Sequence, residues 1–255
     1  MIKKIVKYLL VLFFGNKLRI LKMTKGLFKG IFLEINIKNQ LSLIFGSPEP
    51  HLQQTIQKYI KAGDTVFDIG ANIGYVSIAM SRVVGDIGKV YSFEAIPSTA
   101  QRCKRNIVLN NCKNIKLLNK AVSDECIKTV FRIPEGGDAH SIASMVWHKN
   151  ITNTAIVKVD TIVIDLDEQL KDLTPSFVKI DVEGAEGKVI SGMQNLVAKK
   201  SPKIFIECSQ AGKEIVWDIL KNKNEYNCFN AISNNEILNI DDYHSNDFIW
   251  IPKHK

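Results

Sequence analysis

Residues 65–78 read TVFDIGANIGYVSI: an apolar run holding one acid, a turn with two glycines, then the start of a helical pattern. The run Thr65–Ile69 meets Gly70-Ala71-Asn72-Ile73-Gly74 directly, and Tyr75–Val84 follows with helical spacing. Glycines at a strand-to-helix junction let the backbone turn sharply and approach a ligand closely. Working outward, Lys89–Phe93, Ile115–Leu118, Phe177–Ile180 and Lys203–Ile206 are also short, continuous and apolar. Such runs are the mark of strands buried on both faces of a parallel sheet. A second helix is expected over Ser98–Asn110, with Pro97-Ser98-Thr99 as its start signal. Strand and helix alternation predicts an α/β fold with helices on both faces of the sheet. The runs Tyr226–Ile232, Glu236–Ile240 and Asp247–Ile251 flank the turn-like Ser233-Asn234-Asn235 and predict an antiparallel C-terminal edge. Residues 125–165 break the rhythm, and an inserted hairpin or lid is expected there.

The 255 residues, 45% hydrophobic and 24% charged, suit one globular domain and exclude a disordered chain. No apolar run reaches the length of a membrane-spanning helix. The five cysteines are odd in number and form no CxxC pair, so neither a disulfide framework nor a zinc site is indicated; a cytoplasmic location follows. The formal charge of +8 is unevenly spread, because residues 1–63 hold eleven Lys/Arg against Glu34 and Glu49 only. We therefore divide the chain into a basic, partly amphipathic segment over residues 1–50 and a main domain over residues 51–255. The main domain has no basic surplus, and no base-methylation motif of the N/D-P-P-Y/F type occurs, which disfavours nucleic acid as a partner. In residues 1–14, Lys3, Lys4 and Lys7 share one helical face, and Lys22, Lys25 and Lys29 continue at helical spacing. Three readings fit residues 1–30: a basic amphipathic helix lying on an anionic membrane, a helix docked on the main domain, or an export signal. The third is disfavoured because no small-x-small cleavage site follows Phe14.

Charge discriminates between the ligands that the glycine turn could take, and favours S-adenosylmethionine over NAD. A nucleoside triphosphate or dinucleotide would bring phosphates to Gly70–Gly74, where the carboxylate of Asp68 repels them. The lysine and hydroxyl residue of a P-loop are missing, and the G-x-G-x-x-G spacing is not met. S-adenosylmethionine carries an ammonium and a sulfonium, which an acidic turn attracts. Glu94 ends the next run, twenty residues beyond Gly74, where a carboxylate can accept bonds from two ribose hydroxyls. A second acidic constellation, Asp181-Val182-Glu183-Gly184-Ala185-Glu186, ends the run from Phe177, and it should face the same crevice. The spacing of Glu183 and Glu186 is compatible with one face of a first helical turn. A hydroxyl acceptor benefits from a base; Asp181, Glu183 and Glu207 end strand-like runs and are the catalytic candidates, with His140 and His148 available from the insertion. The Asp165/Asp167/Glu168 cluster reads as helix-terminal charge, and no metal is expected.

Residues 65–208 resemble the FkbM-type S-adenosylmethionine-dependent methyltransferases. The matching segments are VFDIGANIGYVSI (66–78), YSFEAIP (91–97), NIVLNN (106–111), NKAVSDE (119–125), LDEQL (166–170) and FVKIDVEGAEGKVISGM (177–193). Gly187-Lys188 departs from the larger pair usual in that family. The resemblance implies a Rossmann-like class I methyltransferase fold with a mostly parallel, seven-stranded sheet. It also implies that Asp68, Gly70, Ala71, Asn72 and Gly74 line the methionine portion of the cofactor, together with Asp181. Glu94 would take the ribose, and the segment from Ala121 to Asp124 would lie beside the adenine. Family members methylate oxygen on sugars or secondary metabolites, so a glycan, a lipid-linked saccharide or a similar small molecule is the expected acceptor. A nucleic-acid methyltransferase gripping phosphates through residues 1–30, a non-catalytic cofactor-binding scaffold and an NAD-linked oxidoreductase are the alternatives.

Overall fold

The apolar runs do become strands, and their neighbours are set by which faces must be buried. The computed structural model describes residues 17–253, apart from 38–39, 41–42, 45–47, 135–153, 201, 211 and 243–245. In chain order, β1 (Leu18–Lys22) and β2 (Phe32–Asn36) form an antiparallel ribbon, followed by α1 (Pro50–Tyr59). Then come β3 (Thr65–Ile69), α2 (Tyr75–Val84), β4 (Lys89–Phe93), α3 (Pro97–Leu109) and β5 (Ile115–Leu118). Strand β6 (Ala121–Val122) leads into the insertion, which contains β7 (Lys128–Pro134) and β8 (Thr154–Ile162). The second half holds β9 (Phe177–Asp181), α4 (Glu186–Ser191), α5 (Gln194–Lys200), β10 (Lys203–Glu207) and α6 (Lys213–Trp217). It ends with β11 (Tyr226–Asn230), β12 (Glu236–Ile237) and β13 (Asp247–Pro252).

The central sheet has the order β12-β11-β13-β10-β9-β3-β4-β5, with β10, β9, β3, β4 and β5 parallel. Strand β13 runs antiparallel to both its neighbours, β10 and β11. The seven expected strands are present, and the two-residue β12 adds an eighth outside β11. Alternation along the strands divides the core into two layers. Val66, Val90, Phe177, Phe205 and Ile249 face α1, α2, α3 and the ribbon, packing with Leu52, Ile56, Val76, Met80, Cys103, Phe28 and Leu33. Phe67, Phe93, Val178, Ile204, Phe248 and Trp250 face α4, α5 and α6, packing with Val189, Val197, Val216 and Trp217. Burial on both faces explains why these runs lack polar alternation.

Three local expectations change. Lys22, Lys25 and Lys29 do not lie on a helix: Lys22 ends β1, and Gly26 and Gly30, both at positive φ, turn the chain back into β2. Their spacing coincides with a helical one because a tight connection of this length also returns exposed positions at three- and four-residue intervals. Pro97 occupies the first helical position of α3, so Ser98 and Thr99 fall inside the first turn and cap nothing. Glu183 lies outside helix α4, at φ 51, which removes it from the helical face expected for it with Glu186. The insertion is a hairpin as expected, since β7 and β8 pair antiparallel and β6 joins β8. Its middle, with His140 and His148, lies outside the described residues. Among the described residues, no helix is long and apolar enough to cross a membrane.

Candidate active site

The turn after β3 is fixed by its neighbours on both sides. The N–H groups of Gly70 and Ala71 both donate to the carbonyl of Phe93 at the end of β4, at 3.0 and 2.8 Å. A Cβ on Gly70 would stand 1.8 Å from the carbonyl oxygen of Asp181, and the residue holds φ +83, so two independent constraints require glycine there. Asn72 takes φ 51, and its N–H donates to Glu94 Oε2 at 2.9 Å. The other oxygen of Glu94 accepts the N–H of Ile96 at 2.8 Å, so one carboxylate ties the glycine turn to the loop after β4. Burial pushes the Glu94 carboxyl up to about 7, although both N–H bonds oppose the rise.

Asp68 lies beneath this turn and is fully buried. Its Oδ2 accepts the hydroxyl of Ser77, which in turn accepts that of Ser92 at 2.8 Å. Its Oδ1 accepts no hydrogen bond and stands 3.5 Å from Lys179 Nζ. Lys179 is 3% exposed, donates to the Gly70 carbonyl at 3.0 Å and lies 3.2 Å from Asp181 Oδ2. Burial opposes its charge, but Asp181, Asp68 and Glu49 outweigh burial and hold the ammonium well above the ordinary lysine range. Asp68 is therefore closed off from solvent beneath the turn it supports. No role for Lys179 was read from the sequence, yet a lysine between Val178 and Ile180 in a buried strand is itself a signal of a paired charge.

The second acidic constellation opens into a row. Register pairs Asp181 with Glu207 across β9 and β10, and Glu207 with Asp247 across β10 and β13. Directly opposed residues share a face, so three carboxylates line the end of the sheet on the α1 side. Helix α1 answers with its N-terminal end: Nε2 of His51 is 2.8 Å from Asp247 Oδ2. Glu49, just before the helix at φ 47, accepts the hydroxyl of Tyr75 at the start of α2. Partial burial, with the carboxylates of Asp181, Asp247, Glu183 and Glu49, pushes Glu207 up to about 7. Burial likewise raises Asp247 against the pull of His51, and raises Glu49 against the pulls of Lys179 and Tyr75. Glu183 stands exposed at the rim. Sequence reasoning missed Glu49, His51 and Asp247; the only local hint was Glu49-Pro50, an acid followed by a proline that starts a helix.

The donor set fits S-adenosylmethionine. Each oxygen of Glu94 keeps a lone pair after its backbone bond, and the carboxylates of Asp68, Asp181 and Glu49 surround the turn with negative charge that suits a cationic ligand. Comparison with known proteins agrees, because the family model of the methyltransferase FkbM domain matches residues 68–245. The chain belongs to the FkbM methyltransferase family. Membership makes it an S-adenosylmethionine-dependent methyltransferase domain of class I, Rossmann-like fold. Among curated proteins it is similar to a protein-L-isoaspartate O-methyltransferase of Fervidobacterium nodosum, 35% identical over 71 residues, 27% of this chain and 36% of that protein. It is also similar to a probable cobalt-precorrin-6B C(15)-methyltransferase (decarboxylating) of Saccharolobus solfataricus, 27% identical over 145 residues, 54% of this chain and 72% of that protein. The chain thus spans only about a third of the first relative's length. Among solved structures it is similar to methyltransferase FkbM from Methylobacillus flagellatus, at 17% identity and a TM-score of 0.48, over 74% of this chain and 43% of that one.

The remaining residues of the FkbM domain that the sequence singled out have surroundings of their own. Ala121 is buried against Ile96, beside the loop that Glu94 organises. Asp124 is exposed, with Lys188 Nζ 3.4 Å away and the Ser123 hydroxyl donating to it at 3.0 Å. Glu186 is buried and structural: it accepts the Gly184 N–H at 2.6 Å and the Ser209 hydroxyl at 2.9 Å. Asp165 accepts the N–H groups of Asn195 and Leu196 at 2.7 and 2.9 Å, and so caps α5. Among the described residues, no group of three or more His, Cys, Asp or Glu is arranged to hold a metal ion.

Proposed function

We propose that this domain transfers the methyl group of S-adenosylmethionine to a hydroxyl oxygen of a glycan, a lipid-linked saccharide or a secondary metabolite. The observation that carries this reading is the row Asp181–Glu207–Asp247 beside the glycine turn, with Glu207 titrating near neutrality. The cofactor supplies a methyl carbon already activated by its sulfonium. Gly70, Ala71, Asn72 and Gly74 hold its methionine end close to the backbone, under the field of Asp68 and Asp181. Glu94 accepts from the ribose hydroxyls, and Ala121 and Asp124 flank the adenine.

The acceptor would lie along β9, β10 and β13, where the strand ends can align it with the cofactor and exclude water. Glu207 takes the hydroxyl proton: a carboxylate with a pKa near 7 is both ionised and basic enough at neutral pH. Asp181, bridged to Lys179, and Glu183 at the rim keep the crevice acidic; the His51–Asp247 pair gives the acceptor a hydrogen-bonding end. A carboxylate row repels phosphodiesters, which weighs against a nucleic-acid substrate. The odd, widely spaced cysteines support a reducing, cytoplasmic location.

Calorimetric titration with S-adenosylmethionine, S-adenosylhomocysteine and NAD, followed by transfer of labelled methyl to hydroxylated acceptors, tests the proposal. Micromolar binding of the first two and label on a hydroxylated acceptor are expected. Binding of NAD alone would overturn the cofactor assignment. Cofactor binding without transfer to any hydroxylated acceptor would leave a scaffold, and transfer to RNA or DNA with a steep salt dependence would replace the acceptor class.

A further inference from the structure

We infer that the outer face of the β1–β2 ribbon docks on an anionic lipid surface. The register places Leu18, Ile20 and Lys22 opposite Asn36, Glu34 and Phe32, all on one face, while Leu21 and Leu33 turn toward the core. On that outer face three apolar side chains stay in water: Ile20 at 57%, Phe32 at 40% and Leu18 at 37% exposure. Cations border them. Lys22 lies over the Phe32 ring at 5.4 Å, and Lys25 and Lys29 are exposed in the connection between the two strands. The sole acid of residues 17–36 is Glu34, and its Oε2 is held by Arg105 of α3 at 2.6 and 2.8 Å. The free edge of β2 is closed as well, since Asn110 and Asn106 accept the N–H groups of Phe32 and Glu34. A strand from another chain therefore finds no partners along β2. A small apolar face inside a ring of uncompensated lysines matches acyl chains under anionic headgroups. In sequence, residues 1–16 continue the same chemistry, with Lys3, Lys4 and Lys7, no acid, and mostly apolar residues between them.

This docking surface differs from the amphipathic helix that the lysine spacing suggested, because its apolar residues alternate along strands. It is also separate from the carboxylate row, and its test uses no acceptor or methyl transfer. The full chain is sedimented with vesicles of phosphatidylcholine alone, and with vesicles of phosphatidylcholine and phosphatidylglycerol in equal parts. Partition into the anionic vesicles only, weakened by added salt, is expected. The double variant Ile20→Glu/Phe32→Glu should lower that partition at least about tenfold at an unchanged melting temperature. Lys25→Glu/Lys29→Glu, which leaves the apolar face intact, should lower it similarly. Absence of binding to anionic vesicles overturns the inference, as does equal binding to neutral ones. Unchanged partition of both double variants also overturns it and assigns lipid binding to residues 1–16. A change in sedimentation coefficient of Ile20→Glu/Phe32→Glu without vesicles would instead identify the face as a contact between copies of the chain.

Discussion

Glu94 shows how one side chain can couple stability to ligand binding. Its carboxyl titrates near 7 in the folded chain against an ordinary 4.5, so the folded state holds that proton more tightly than the unfolded one. The stabilising contribution is full below about pH 4.5 and is lost as pH rises through about 7, a change of about 3 kcal/mol. Affinity for a ligand that donates hydroxyls should move the other way and strengthen as Glu94 ionises. Glu94→Gln is expected to flatten both slopes, as read from melting temperature and from calorimetric affinity between about pH 5 and 8. Asp68 makes the opposite point about accessibility. The acidic turn was legible in the sequence, but its full burial was not, since burial depends on Ser77 and Lys179 arriving from α2 and β9. Asp68→Ala should therefore cost about 3–5 kcal/mol in thermal or denaturant unfolding, because it leaves Lys179 short of a partner in the interior. Glu207→Gln tests the base proposed above. It should lower kcat by about two orders of magnitude and abolish the rise in activity as pH passes about 7, with cofactor affinity retained.

At the scale of elements, the parallel strands were the most legible part of the chain. Each is buried on both faces, so its composition alone announces it, and β3, β4 and β5 match the expected bounds. The β1–β2 ribbon was not legible. Its stretch KLRILKMTKGLFKGIFLEI carries lysines at helical intervals, and only packing of Leu33 and Ile35 against α2 and α3 decides for strands. The acceptor side of the site was half legible: Asp181 and Glu207 stand at strand ends, whereas Glu49, His51 and Asp247 come from distant segments that no local motif joins. The turn between β3 and α2 is where an element can be broken by one methyl group. Gly70→Ala places a Cβ 1.8 Å from the Asp181 carbonyl at φ +83, so the turn must separate from β9. The backbone conformation alone costs about 1 kcal/mol or more, and the clash adds to it. A lowered melting temperature together with lost S-adenosylmethionine binding is the expected result, measured on the same preparation.

Across the whole molecule, the two core layers serve different ends. The layer of α4, α5 and α6 is apolar and closed, with the rings of Trp217 and Trp250 meeting edge to face at 5.6 Å. The other layer holds the polar apparatus: the Asp68–Ser77–Ser92 chain, Lys179, and the loop ends of α1 and α2 that face the carboxylate row. The side of the sheet that holds the carboxylate row is thus also the side that carries the β1–β2 ribbon. Strand β13 crosses this division in an unexpected way. Although it follows β11 and β12 in sequence, it lies between β10 and β11 in space. A stop codon placed just before Asp247 would therefore remove an interior plank of the sheet and leave a gap where β10 and β11 had both been paired. It would strip His51 of its carboxylate and expose two adhesive edges at once, so a nonsense mutation at that point should yield an aggregating product.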